Sequence, residues 1–135
     1  MFEAQVLRDP PEKSGGGLRA PLERWLCFYE RRVFTGGCFF VITAVESAGQ
    51  DGPVREALAS AVERQLAALE SAIVDAARSG ELELRGDAGQ MAFELHWLLV
   101  NSDALFHVRE DPAVFERARA SIRALLAQHG GARET

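Results

Sequence analysis

Residues 53–79 read PVREALASAVERQLAALESAIVDAARS. Val54, Leu58, Val62, Leu66, Leu69 and Ile73 recur there at three- and four-residue steps, while Arg55, Glu56, Glu63, Arg64 and Glu70 fill the opposite side. That spacing predicts an amphipathic helix, because a half-buried strand would alternate every second residue. Pro53 suits a first helical turn and Gly80 suits a C-terminal cap. A helix of this length predicts a spine on which the rest of the chain packs.

Toward the C-terminus the next helix is predicted from Asp87 to about Arg109. Met91, Leu95, Leu98, Leu99, Leu105 and Phe106 form one stripe, and Phe93, Trp97, Val100 and Ala104 form a second. Between Met91 and Val100 only Glu94 and His96 are ionisable. A helix apolar on nearly all sides must be covered on nearly all sides. One small domain covers one face, so the second predicts a partner subunit or a ligand. Asp111-Pro112 then predicts an N-cap with proline in the first turn of a last helix. Phe115, Ala118, Ile122, Leu125 and Leu126 line one face of it, and Glu116, Arg117, Arg119 and Arg123 the other. Gly130-Gly131 ends it, and residues 129–135 are expected to fray.

Toward the N-terminus, Leu22, Trp25, Leu26 and Tyr29, widened by Phe28, predict a helix over about Leu18 to Arg32. The stretch Phe34-Thr35-Gly36-Gly37-Cys38-Phe39-Phe40 follows, and adjacent glycines break helix propagation. Cys38 to Ala48 reads as a short, very apolar helix, although Val41, Ile42, Thr43 and Val45 would also suit a strand. A short helical piece, Phe2 to Arg8, precedes Asp9-Pro10-Pro11 and the run Ser14-Gly15-Gly16-Gly17, a flexible connector by composition. The fold class is all-α, a helical bundle with residues 18–128 as its body.

The 135 residues suffice for one core and are too few for two, and 47% hydrophobic content is that of an ordinary globular domain. A formal charge of -5 argues against this chain alone gripping nucleic acid or anionic membranes. The longest apolar run, Cys38 to Val45, is far below the roughly 20 residues of a membrane helix. No secretory signal pattern opens the chain, and the two cysteines, Cys27 and Cys38, make no disulfide framework. A reduced cytoplasmic protein is the expectation.

Catalytic and metal chemistry find little support. His96, His107 and His129 are scattered without ligand spacing, so no metal and no cofactor are expected. Asp103 and His107 stand one turn apart, a spacing that suits a local ion pair. Cys38 has no catalytic signature around it and reads as a buried, inert thiol. Gly15 to Gly17 lacks the lysine and strand of a phosphate loop. Arg117, Arg119 and Arg123 read as a solvated helix face. The aromatics Trp25, Phe28, Tyr29, Phe39, Phe40, Phe93, Trp97 and Phe106, with Glu94, His96, Asn101 and Asp103 among them, suit either a plain core or an apolar cavity with a few polar groups.

Residues 30–40, from Glu30-Arg31-Arg32-Val33 through the glycine pair to Phe40, resemble the inter-helix motif of a large subgroup of TetR/AcrR transcriptional regulators. So does the later order: a long helix ending in Ala77-Arg78-Ser79-Gly80-Glu81-Leu82, an acidic start at Asp87, an apolar helix, then Asp111-Pro112. The resemblance runs from about Leu18 to Leu126. It implies a non-enzymatic, effector-binding domain that forms a homodimer through its last two helices. It also implies that a small molecule held among the middle helices changes the spacing of two DNA-reading heads. The family's N-terminal helix-turn-helix is missing before Leu18, and Phe2 to Arg8 resembles the end of the helix that joins head to body. Residues 1–17 are thus read as connecting helix plus linker, and DNA enters only through a domain this chain lacks.

Helix position and residue type nominate Trp25, Phe28, Tyr29, Cys38, Phe40, Phe93, Trp97 and Asn101 for the ligand pocket, with Asn101 orienting a polar group. Leu105, Phe106, Phe115, Ala118, Ile122 and Leu125 are nominated for the dimer interface. A small apolar or aromatic effector is expected, and strongly anionic effectors are disfavoured. The alternative is a headless helical interaction module that pairs with other subunits without a ligand.

Overall fold

A computed structural model describes residues 17–30, 49 and 51–130, with Phe28 and Tyr29 described by backbone alone. Four helices account for most of this: α1 Arg19–Glu30, α2 Pro53–Arg78, α3 Ala88–Arg109 and α4 Ala113–Gln128. No strand occurs among the described residues, and no helix is long and apolar enough to cross a membrane. The piece Phe2–Arg8, the connector through Gly16, the pair Gly36-Gly37 and the segment Cys38–Ala48 lie outside the described residues.

Local chemistry sets the helix ends. Before α1, Gly17 takes φ +54 and the next backbone N–H, of Leu18, donates to both Glu81 carboxylate oxygens at 2.9 and 3.2 Å. A carboxylate there complements the partial positive charge of a helix start. A Cβ at position 17 would collide with that carboxylate. The α2 helix ends on Ser79, after which Gly80 turns left-handed and Leu82 N–H reaches back to the Ala76 carbonyl at 3.2 Å. Asp87 caps α3 by accepting from Gly89 N–H at 3.1 Å. The α4 helix begins at Ala113, with Pro112 in the cap position expected for Asp111. The shift arises because Val114 and Phe115 donate three residues back, to Asp111 and Pro112, in a tightened first turn. Asp111 still contributes its side chain, accepting from Ala113 N–H at 3.0 Å.

The central element is α3. It packs most extensively on α2, then on α4, and it also meets α1, which closes the bundle against α4. Trp25, Leu69, Ile73, Met91, Leu95, Leu99 and Phe115 are essentially sealed from solvent. The Phe106 and Phe115 rings lie 5.0 Å apart between α3 and α4. Fully burying each such side chain stabilises by about 1.5–3 kcal/mol.

Two expectations change. The buried line of α2 is Ala61, Gln65, Leu69, Ile73 and Ala76, whereas Val54 is 59% exposed and Leu58, Val62 and Leu66 are half-buried. Stepping back by fours from Ile73 arrives at Gln65 and Ala61, and the apolar series 54–66 stands one residue to the side of it. His129 is not part of a frayed end. Its carbonyl accepts from Glu83 N–H at 2.7 Å and its ring Nδ1 from Arg85 N–H at 3.0 Å.

Candidate functional site

A polar pair stands in the core at the junction of three helices. Gln65 on α2 is 0% exposed, and its Oε1 lies 2.9 Å from Nε2 of His96 on α3. With Oε1 as acceptor, Nε2 carries the imidazole proton. Burial pushes the His96 pKa down, which keeps the ring neutral. The Trp25 indole of α1 meets that ring edge-on, with centroids 6.2 Å apart and planes at 81°. The Gln65 amide nitrogen has no hydrogen-bond partner among the described residues. A buried donor left unmatched costs about 1–3 kcal/mol.

Further along α3, the half-buried His107 Nε2 stands 3.4 Å from Oδ1 of the buried Asp103. This is the one-turn pair expected from the sequence. Ser102 turns its hydroxyl back to the Leu98 carbonyl, as hydroxyls within helices often do.

The α1–α4 flank is ionic. Arg119 of α4 binds Glu23 through Nε at 2.9 Å, Glu116 through Nη1 at 3.1 Å, and Glu30 through Nη2. Burial works against the guanidinium charge, but the hydrogen bonds to Glu30 and Glu23 outweigh it and hold the group charged. Cys27 donates to Glu23 at 3.6 Å, and burial followed by the Glu23 carboxylate pushes its thiol pKa up. That is the opposite of what a nucleophile needs. Glu23, Cys27 and Glu30 bring their ligand atoms within 4.8 Å of one another, but Arg119 already supplies the cation at two of the three. Beside it a groove of about 360 Å³ runs over Leu22, Leu26 and Ile122, with Arg19, Glu23, Arg119 and Arg123 on its walls.

The outer side of α3 carries Phe93 and Trp97, both 60% exposed, half-buried Asn101, Leu105 at 40% and Val108 at 81%. Steps of four and three residues put them on one stripe.

The residues nominated from sequence fall apart into separate places. Of the pocket set, Trp25 is in the core, Phe93, Trp97 and Asn101 are on the outer stripe, and Cys38 and Phe40 lie outside the described residues, as do the side chains of Phe28 and Tyr29. Of the interface set, Phe106, Phe115, Ala118, Ile122 and Leu125 are buried within the chain itself, and only Leu105 is exposed. Those five face inward because α3 and α4 pack on each other and on α1. Sequence reasoning passed over Gln65, Glu23 and Arg119. Gln65 was detectable as the polar member of the series 61-65-69-73, whereas nothing local announces Arg119's partners across 96 and 89 positions of chain.

By fold the chain is of the TetR regulator class. It is similar to the transcriptional regulator, TetR family, from Cytophaga hutchinsonii, with a TM-score of 0.70 and 16% identity over 98% of this chain and 70% of that one. Residues 16–122 match the family described as Tetracyclin repressor-like, C-terminal domain, and the chain belongs to that family. No curated protein matches it.

Proposed function

We propose that this domain senses a small, largely apolar effector and joins two subunits of a TetR-like regulator. Operator binding would then be controlled through a helix-turn-helix domain outside the described residues. The observation that carries the reading is the α3 stripe of Phe93, Trp97, Asn101, Leu105 and Val108. Its inner counterpart is consumed by the bundle, and an apolar stripe of this length needs a second surface. A second copy of the chain is the occupant, and Asn101 in the middle of the stripe supplies a polar register point. Membership of the family supports both roles, and the raised Cys27 thiol favours binding over catalysis.

The experiment is sedimentation of wild type beside Trp97→Glu, combined with a thermal-shift screen of aromatic and acyl compounds. A wild-type dimer that becomes a folded monomer in the variant, and at least one compound that raises the melting temperature, are the expected results. A monomeric wild type would refute pairing. A dimer that no compound stabilises would leave the headless interaction module as the reading.

A further inference from the structure

We infer that the Gln65–His96 pair is the polar anchor of the effector site, and that it takes an uncharged, apolar-bodied molecule through one carbonyl-type oxygen. The inference rests on the reading of the domain as a small-molecule sensor. Gln65 sits in the middle of a line otherwise made of Ala61, Leu69, Ile73 and Ala76, where an aliphatic side chain would pack without any polar requirement. Only half of its carboxamide is matched, by His96 Nε2 at 2.9 Å. The other half, the amide N–H₂, is sealed from solvent and has no partner among the described residues. Folding leaves that donor needing an acceptor, and a ligand oxygen would meet the need.

The surroundings set the ligand class. The pair itself carries no charge, because glutamine is neutral and desolvation keeps the imidazole neutral. A carboxylate or phosphate would bring a full charge against this neutral pair, which disfavours it. The Trp25 indole, itself 0% exposed, packs edge-on to His96, so a ligand would meet it only as the side chains around the pair part. An aryl ketone, ester or amide matches this combination: a flat apolar body beside Trp25 and a single acceptor for Gln65. His96 acts as a positioning residue, since its N–H holds Oε1 and thereby turns the amide nitrogen away from itself.

Benzophenone and diphenylmethane share a two-ring frame and differ in a carbonyl against a methylene, so they isolate the anchor. Calorimetric titration of wild type, Gln65→Leu and Gln65→Met is the test, with the Gln65 side-chain ¹⁵N–¹H resonances followed in the wild type. The ketone should bind about tenfold more tightly than the hydrocarbon and move the Gln65 amide resonances. In both variants the two affinities should converge on that of the hydrocarbon. The free variants should melt close to wild type, because the unmatched Gln65 donor is removed while the His96 N–H loses its acceptor. Equal affinity of both compounds for wild type overturns the anchor and leaves the sensing reading intact. Variants that melt well below wild type and keep the ketone preference show a structural amide and also overturn it. Binding by neither probe overturns it too, and the wider compound screen then decides the sensing reading separately.

Discussion

Leu99 and Trp97 stand two residues apart on α3 and have opposite fates. Leu99 is 0% exposed against the bundle, and Trp97 is 60% exposed on the far side. Both are large and apolar, so composition does not distinguish them. What distinguishes them is whether the chain itself supplies the covering surface. Inner-face side chains hold the protomer together, and outer-face side chains hold nothing within it. The two faces should therefore report to different measurements.

The largest effect should come from the inner face. Leu99→Ala should destabilise by about 3 kcal/mol through the cavity it leaves, read as a shift in denaturant midpoint. A loss under 1 kcal/mol would mean that the centre of the bundle is not packed as described. On the outer face, Trp97→Glu should leave helical content intact while halving the mass in solution. Loss of helix signal in parallel with the mass would erase the distinction between the faces.

Smaller still is the α1–α4 flank. Arg119→Ala removes the cation between Glu23, Glu30 and Glu116 and should cost about 1 kcal/mol, because those carboxylates are partly solvated. The cost should shrink in high salt, and an effect indifferent to salt would speak against an ionic seam. The smallest effect is a pH slope. Burial sets the His96 pKa below its ordinary value of about 6.5, so the unfolded chain takes that proton more readily than the folded one. The contribution of the neutral ring is complete above about pH 6.5 and is lost as pH falls through the lowered folded value. Wild type should therefore lose stability relative to His96→Phe between pH 7 and pH 5, and a constant difference across that range would contradict the burial.

Both stripes of α3 were legible in the sequence, as were the span of α2, the start of α3 near Asp87 and the stop at Gly80. These features depend on neighbours within one or two turns. Which stripe faces inward was not legible, because periodicity gives relative angles around a helix and not the direction of the core. Phe93 and Trp97 thus stand on the exposed stripe, and Phe106 and Phe115 on the buried one. Gln65 was missed because a polar letter in an amphipathic helix is assigned to solvent by default. Arg119 was read as part of a solvated basic face, since its carboxylate partners on α1 come near only through the tertiary fold.

The short turn between α2 and α3 has a consequence for the order of folding. Glu81 in it holds the start of α1 from 63 positions away, and Arg85 holds His129 from 44 positions away. Both bonds close long loops, whose entropy must be overcome before any contact within them helps. The α2–α3 hairpin, built from neighbours in sequence, should form first and present this turn as a receiver for both flanking helices. In pulse-labelled refolding, the amides of Leu18 and Arg85 should accordingly gain protection after those of α2 and α3. The turn thus acts as the final latch, at which the first and last described helices are fastened to the same few residues.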